Sequence, residues 1–256
     1  MSKRISELFD TDKKLVSIYF TAGFPKLNDT AKIIEKLEKS GVDLIEIGLP
    51  FSDPLADGPT IQESSTKALH NGMTTELLFE QLSNIRQKVK IPLIIMGYFN
   101  PVMQYGVEAF CQKCEDIGID ALILPDLPLR EYQQHYKEIF NRHGLDLIYL
   151  ITPQTPEERI RAIDQMSNSF IYMVSSSSTT GAKAGFSEEN QEYFKRVEEM
   201  KLKNPTLVGF GISDKNSFDQ ATSHSQGAII GSAFIKHIEN KGIDQIPLFV
   251  QNLRHE

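Results

Sequence analysis

Glu46, Asp53 and Asp57 stand close together in the stretch Gly41-Val-Asp-Leu-Ile-Glu-Ile-Gly-Leu-Pro-Phe-Ser-Asp-Pro-Leu-Ala-Asp-Gly-Pro-Thr-Ile-Gln62. The run Asp43 to Gly48 sets Leu44, Ile45 and Ile47 around Glu46, the pattern of a strand covered on both faces. Burial disfavours the charged form of a carboxyl, so its pKa rises and it can both give and take a proton near neutral pH. Behind it, Pro50, Pro54 and Pro59 restrict φ, which holds Asp53 and Asp57 in place rather than on a slack tip. Each acid also has a plain structural reading. Glu46 could pair with an Arg or Lys, while Asp53 before Pro54 and Asp57 before Gly58 suit turns. Their convergence at the C-terminal end of one strand favours chemistry, namely general acid/base catalysis.

The chain around them has 256 residues, 40% hydrophobic and 24% charged, enough to bury a large core in a soluble globular fold. The formal net charge of −7, with no clustered basic surface, argues against nucleic acid as the main partner. Met1 to Glu7 lacks the apolar segment of a signal peptide, and runs such as Pro92 to Met96 are too short to span a bilayer, so the expected location is cytoplasmic. Cys111 and Cys114 fall inside a helical stretch, Glu108 to Ile117. Two thiols do not complete a zinc site and a redox motif wants a preceding strand, so helix packing is the better reading. His70, His135, His143, His224, His237 and His255 fall in helices, helix ends or the tail, a poor supply of metal ligands. No lysine lies in an expected strand, and Lys183 reads as solvent-facing, which disfavours Schiff-base chemistry.

The elements that must position the acids follow from the apolar pattern. A short leading helix is expected over Ser2 to Asp10 and a first strand over Leu15 to Thr21. Asn28 or Asp29 can cap the next helix, which Gly41 ends. The strand with Glu46 is followed by helical stretches Thr60 to His70 and Thr74 to Val89, one of them an insertion. Further strands are expected at Pro92 to Gly97, Asp120 to Pro125, Asp146 to Ile151, Phe170 to Val174, Thr206 to Gly209 and Ala228 to Gly231. The phrases Gly41-Val-Asp-Leu-Ile, Gly118-Ile-Asp-Ala-Leu-Ile and Gly144-Leu-Asp-Leu-Ile each close a helix and open a strand. Eight apolar strands alternating with helices imply an α/β fold, a single (β/α)8 TIM barrel over residues 1–256 with a short N-terminal helix and an extra helix after strand two. A doubly wound sheet is disfavoured because Gly209-Phe-Gly-Ile-Ser-Asp lacks a third glycine and comes late in the chain.

Barrels of this kind often hold phosphate near the loops after strands seven and eight. Gly211-Ile-Ser213 follows strand seven and Gly231-Ser232 opens the helix after strand eight, so backbone N–H groups and a helix dipole could hold an anion without a basic patch. Gly181 in the polar stretch Ser175 to Gly185 could add another contact, and that stretch reads as a mobile lid or as a plain flexible loop. Taken singly, these glycines also suit ordinary chain reversals.

With these residues in hand the chain resembles the tryptophan synthase alpha subunit family. Glu46 to Gln62 matches the family signature, and Thr21-Ala-Gly-Phe-Pro25, Tyr98-Phe-Asn-Pro101, Pro125-Asp-Leu-Pro128 and Gly209-Phe-Gly-Ile-Ser213 match in the family's order. The resemblance implies cleavage of indole-3-glycerol phosphate to indole and glyceraldehyde 3-phosphate. Glu46 would be the general acid/base, and Asp57 the acceptor of the indole N–H. It implies substrate contacts from Tyr172, Tyr19, Thr180, Gly181, Gly211, Gly231 and Ser232. No cofactor is implied in this chain, while pyridoxal phosphate is expected in a partner beta subunit, joined in an alpha-beta-beta-alpha complex through Pro50, Asp53, Asn100 and Pro128. In the family the lid usually reads Gly-Val-Thr-Gly or Gly-Thr-Thr-Gly, whereas here Ser178 and Thr179 precede Thr180-Gly181. Two other readings stand beside this one. One is a non-catalytic phosphate-binding barrel that activates a partner, disfavoured by the intact Glu46 and Asp57. The other is a phosphate-binding barrel isomerase, which would want two aspartates at different strand ends.

Overall fold

A computed structural model describes residues 2–55, 57–175 and 186–254. Eight parallel strands close into a barrel in sequence order: β1 Leu15–Thr21, β2 Leu44–Gly48, β3 Leu93–Met96, β4 Ala121–Ile123, β5 Asp146–Ile151, β6 Ile171–Val174, β7 Thr206–Gly209 and β8 Gly227–Ile230, with β8 paired back to β1. The helices are α1 Lys3–Leu8, α2 Thr30–Lys39, α3 Pro59–His70, α4 Thr75–Leu82, α5 Phe99–Tyr105, α6 Val107–Ile117, α7 Leu129–Glu131, α8 Lys137–Arg142, α9 Glu157–Met166, α10 Glu188–Glu199, α11 Lys215–Thr222, α12 Ser232–Lys241 and α13 Ile246–Arg254. The barrel, the short leading helix and the additional helix between β2 and β3 are as the apolar pattern implies. No helix of the described residues is long and apolar enough to cross a membrane.

Successive strand residues point to opposite faces, and this divides the core in two. Outward residues such as Val16, Ile18, Ile45, Ile47 and Val208 join the layer beneath the helices. Inward residues such as Leu15, Leu44, Ile94, Ile123, Tyr172 and Ile229 fill the barrel. Ile5 of α1 is fully buried among the inward set and the Phe9 ring lies 6.1 Å from that of Phe170, so the leading helix plugs the N-terminal end.

The recurrent Gly-x-Asp phrase has a physical reason at that end. Asp43 accepts from the Val16 N–H at 2.8 Å and pairs with Lys13 and Arg254, at 2.5 and 2.6 Å. Asp120 accepts from the Leu93 N–H at 2.9 Å and pairs with Arg4 and Arg86, at 2.9 and 2.6 Å. Asp146 accepts from the Ser2 N–H at 3.0 Å. Asp43 and Asp120 each lock the start of the neighbouring strand, and together the three aspartates form an ionic floor opposite the loops that carry chemistry in such barrels.

Several expected boundaries shift. Gly231 leaves β8 and becomes the residue that precedes α12. The fourth strand is trimmed at both ends to Ala121–Ile123, and the Asp120 side chain before it joins the floor network. The stretch expected as one helix to Val89 stops at Leu82, and a tight turn over Ile85–Gln87 follows. Asp29 does precede α2 but makes no capping bond. A tight turn over Leu27–Asp29 supplies the approach, and the Asp29 carboxylate pairs with Lys32 at 3.2 Å.

Candidate active site

Glu46 sits in the middle of β2, points into the barrel and has no exposed surface. The Ser17 hydroxyl of β1 donates to its Oε1 at 3.0 Å, and among the described residues its buried Oε2 has no partner. Burial pushes the carboxyl up to about 8, with the Ser17 bond opposing the shift. The pairing with Arg or Lys that a strand glutamate allows is absent among the described residues.

Two tyrosines stand by it. Tyr19 pairs in register with Glu46 across β1 and β2, and Tyr172 lies on β6. Burial raises both phenols far above their ordinary value, and the charges of Asp57 and Glu46 add to the effect. Each hydroxyl occupies space that a glycine leaves on the next strand. A Cβ at Gly48 would come within 2.2 Å of the Tyr19 oxygen, and one at Gly209 within 2.1 Å of the Tyr172 oxygen. The same device thus appears at the β1–β2 and β6–β7 edges.

Asp57 precedes α3 and its carboxylate meets the Tyr98 hydroxyl, which donates to Oδ2 at 3.1 Å. That hydroxyl also accepts from the Leu55 N–H at 3.1 Å, while the Gln62 side chain donates to the Asp57 carbonyl at 2.7 Å. Partial burial raises the Asp57 carboxyl above its ordinary value, against the Tyr98 bond. A small pocket at the C-terminal mouth is lined by Tyr19, Phe51, Asp57, Met96 and Tyr98. Of the three acids close in sequence, the structure brings Glu46 and Asp57 to the two tyrosines and leaves Asp53 exposed, bonded to Ser52.

The rim beyond β7 and β8 differs at its two helix starts. Asp214 caps α11 with a reciprocal bond pair to Ser217, so that N-terminus is occupied by its own side chain. No side chain caps α12, where Gly231 precedes the exposed Ser232. Gly211 has φ +78°, a conformation that suits glycine, and stands against Phe186. Thr180 and Gly181, with Ser178 and Thr179 of the expected lid, lie outside the described residues. Asn100 on α5 and Pro128 before α7 are exposed, and Pro50 is buried.

Four neighbours of the site carry no role of their own in the sequence reading. The Ser17 hydroxyl donates to the Glu46 carboxyl and the Tyr98 hydroxyl to that of Asp57. Phe210 adopts φ +72°, costly for a bulky side chain by about 1–3 kcal/mol, and its ring meets that of Tyr172 at 6.4 Å. The Ser175 hydroxyl stitches this turn, facing the Gly209 and Phe210 carbonyls at 3.1 and 2.9 Å. A signal did exist for Ser17 and Tyr19, which alternate on the strand beside the one carrying Glu46.

Comparison with known proteins shows the family. The family model described as tryptophan synthase alpha chain matches residues 5–253. The tryptophan synthase alpha chain of Flavobacterium johnsoniae is 64% identical over 98% of this chain and 99% of its own, and that of Christiangramia forsetii 63% identical over 98% of both. Among solved structures, tryptophan synthase subunit alpha from Legionella pneumophila superposes with a TM-score of 0.88 at 32% identity, covering 98% of this chain and 95% of that one. A chain of the tryptophan synthase complex from Pyrococcus furiosus gives 0.84 at 30% identity, over 94% and 97%. A closed barrel with a buried glutamate beside two tyrosines and an aspartate, matched along nearly its whole length, therefore belongs to the tryptophan synthase alpha chain family.

Proposed function

We propose that this chain is a carbon–carbon lyase of tryptophan biosynthesis that cleaves indole-3-glycerol phosphate to indole and glyceraldehyde 3-phosphate. The observation that carries the reading is Glu46, a fully buried carboxyl raised to about 8 with one oxygen free of partners among the described residues. Near neutral pH it is protonated in a good fraction of molecules and can act as an acid first. It delivers its proton to C3 of the indole ring, and the positive charge that forms is spread to the ring nitrogen. Asp57 accepts the indole N–H and stabilises that charge, an effect strong in a water-poor site. The Glu46 carboxylate then takes the proton of the glycerol hydroxyl as the carbon–carbon bond breaks. The bond electrons return to the ring, the hydroxyl carbon becomes the aldehyde, and Glu46 ends as it began.

In this reading Tyr19 and Tyr172 border the indole, while the uncapped start of α12 at Gly231 and Ser232, with Gly211, receives the phosphate. Thr180 and Gly181 belong to the same reading as the lid and its phosphate contact. The chain itself uses no cofactor. The partner is a beta subunit carrying pyridoxal phosphate, which joins indole to serine, and the mouth around Asp53, Asn100 and Pro128, with Pro50 behind, faces it in an alpha-beta-beta-alpha assembly.

The test is indole released from indole-3-glycerol phosphate, with and without a beta subunit. The chain contains no Trp, so no protein indole masks the signal. Slow release that rises with the partner supports the reading. Glu46→Gln is expected to bind substrate nearly normally and lose roughly 10²–10⁴-fold in turnover; near-normal turnover would refute the assignment.

A further inference from the structure

Ser17 lies on the inner face of β1, two residues before Tyr19, and has no exposed surface. Its hydroxyl makes the one hydrogen bond that reaches the Glu46 carboxyl among the described residues, at 3.0 Å to Oε1. We infer that Ser17 is a positioning residue for Glu46, holding Oε1 so that Oε2 is the oxygen that exchanges the proton with the ligand. The inference rests on the acid/base reading of Glu46 given above.

The terminal torsion of a glutamate is broad and nearly two-fold, so in an apolar barrel nothing intrinsic tells one carboxyl oxygen from the other. A fixed donor breaks that symmetry. Glu46 pairs in register with Tyr19 on one side and Ile94 on the other, and Ser17 pairs with Leu44. The titratable groups that couple to it are Tyr19 from β1 and Tyr172 from β6, Asp57 from the loop after β2 acts on the same two tyrosines, and none of the three is a cation. Ser17 is therefore the one described group that stabilises the carboxylate as well as orienting it. Its bond strengthens when the carboxyl is charged, so it returns the proton-accepting form after C3 is protonated. The serine keeps its own proton throughout; the transferred proton leaves from Oε2 and the hydroxyl proton comes back to Oε2.

Ser17→Ala removes the hydroxyl, and the pair Ser17→Thr and Ser17→Val compares equal shapes with and without it. The kcat/KM profile against pH, with a saturating beta subunit, is read alongside the carboxyl carbon-13 NMR titration of Glu46 in the unliganded protein. In the Ala and Val variants the descending limb and the NMR midpoint are expected to move up by about one pH unit. Their kcat falls roughly tenfold with KM within about twofold, as for a misplaced group, while the Thr variant keeps the original limb. Equal shifts in Thr and Val, or an unmoved midpoint in Ala, would overturn the inference. If Glu46→Gln is inactive while Ser17→Ala behaves as the parent, the acid/base reading stands and the role of Ser17 falls. If Glu46→Gln turns over normally, that reading fails, and the NMR midpoint alone decides whether Ser17 tunes the carboxyl.

Discussion

Tyr98 holds Asp57 from a distance of 41 residues in sequence, its hydroxyl 3.1 Å from the carboxylate while also accepting the Leu55 N–H. The residue that follows it, Phe99, gives its N–H to the Asp126 carboxylate at 2.9 Å, so the loops after β2, β3 and β4 are joined at one point. Tyr98→Phe keeps the ring, which lies 5.2 Å from that of Phe51, and deletes only the hydroxyl. The expected loss is about 1 kcal/mol in stability and roughly 3- to 30-fold in kcat/KM, mostly in kcat. Steady-state kinetics beside urea unfolding measure both, and an unchanged kcat would show that Asp57 orients itself.

The raised pKa of Glu46 makes stability depend on pH. Its ordinary value is 4.5 and its folded value about 8, so between these the folded state holds a proton that the unfolded state has released. Stability contributed by the neutral carboxyl is full below 4.5 and declines as pH rises through that window, by at most about 5 kcal/mol. Glu46→Gln has no such proton to lose. Urea unfolding at pH 4.5 and pH 9 should give nearly equal stabilities at the lower pH, and a variant more stable than the parent by a few kcal/mol at the higher.

In the proposed mechanism the same group sets the alkaline side of the rate profile. That mechanism needs Glu46 protonated to deliver its proton to the ring and Asp57 charged to accept the N–H. The kcat/KM profile should rise as Asp57 loses its proton, at a pH above its ordinary value, and fall near pH 8. A profile flat from pH 7 to pH 10 would contradict the role of Glu46.

The floor should matter to folding and not to chemistry. Asp120 is 2% exposed and receives Arg4, Arg86, the Ser2 hydroxyl and the Leu93 N–H. Asp120→Asn leaves the mostly buried Arg86 without its carboxylate, and the expected cost is about 3–5 kcal/mol. Denaturant unfolding reads that loss, while kcat measured below the transition stays within about twofold of the parent.

The two cysteines offer a check on helix packing. Both sit on the buried face of α6, where burial raises the Cys111 thiol to about 12 and the Cys114 thiol well above its ordinary value. Thiolate is the reactive form, so iodoacetamide at pH 8 should leave the native protein unlabelled and modify both thiols in urea. Rapid native labelling would mean that α6 opens.

What was legible in the sequence was what depends on local pattern. Alternating strand and helix signals placed all eight strands to within a few residues, and Glu46 stood out as an acid in an apolar run. What escaped depends on barrel closure. Ser17 reads as an unremarkable strand residue until the β1–β2 register sets it against Glu46, and Tyr98 is only the first residue of a motif until the β3 loop meets the β2 loop. By turn pattern Asp53 resembled Asp57, each beside a turn residue, and the fold shows one acid exposed and the other held near the mouth. Asp29 failed as a cap because a tight turn already occupies the approach to α2.

Gly48 and Gly209 have a consequence for anyone who would reshape this pocket. Each tyrosine keeps its position only while the glycine across the strand edge stays bare, so the unit of inheritance is the pair. A library that randomises Tyr19 alone samples smaller rings into a fixed notch, and one that randomises Gly48 alone evicts the phenol. New substrate shapes are reached by varying Tyr19 with Gly48, or Tyr172 with Gly209, in the same clone.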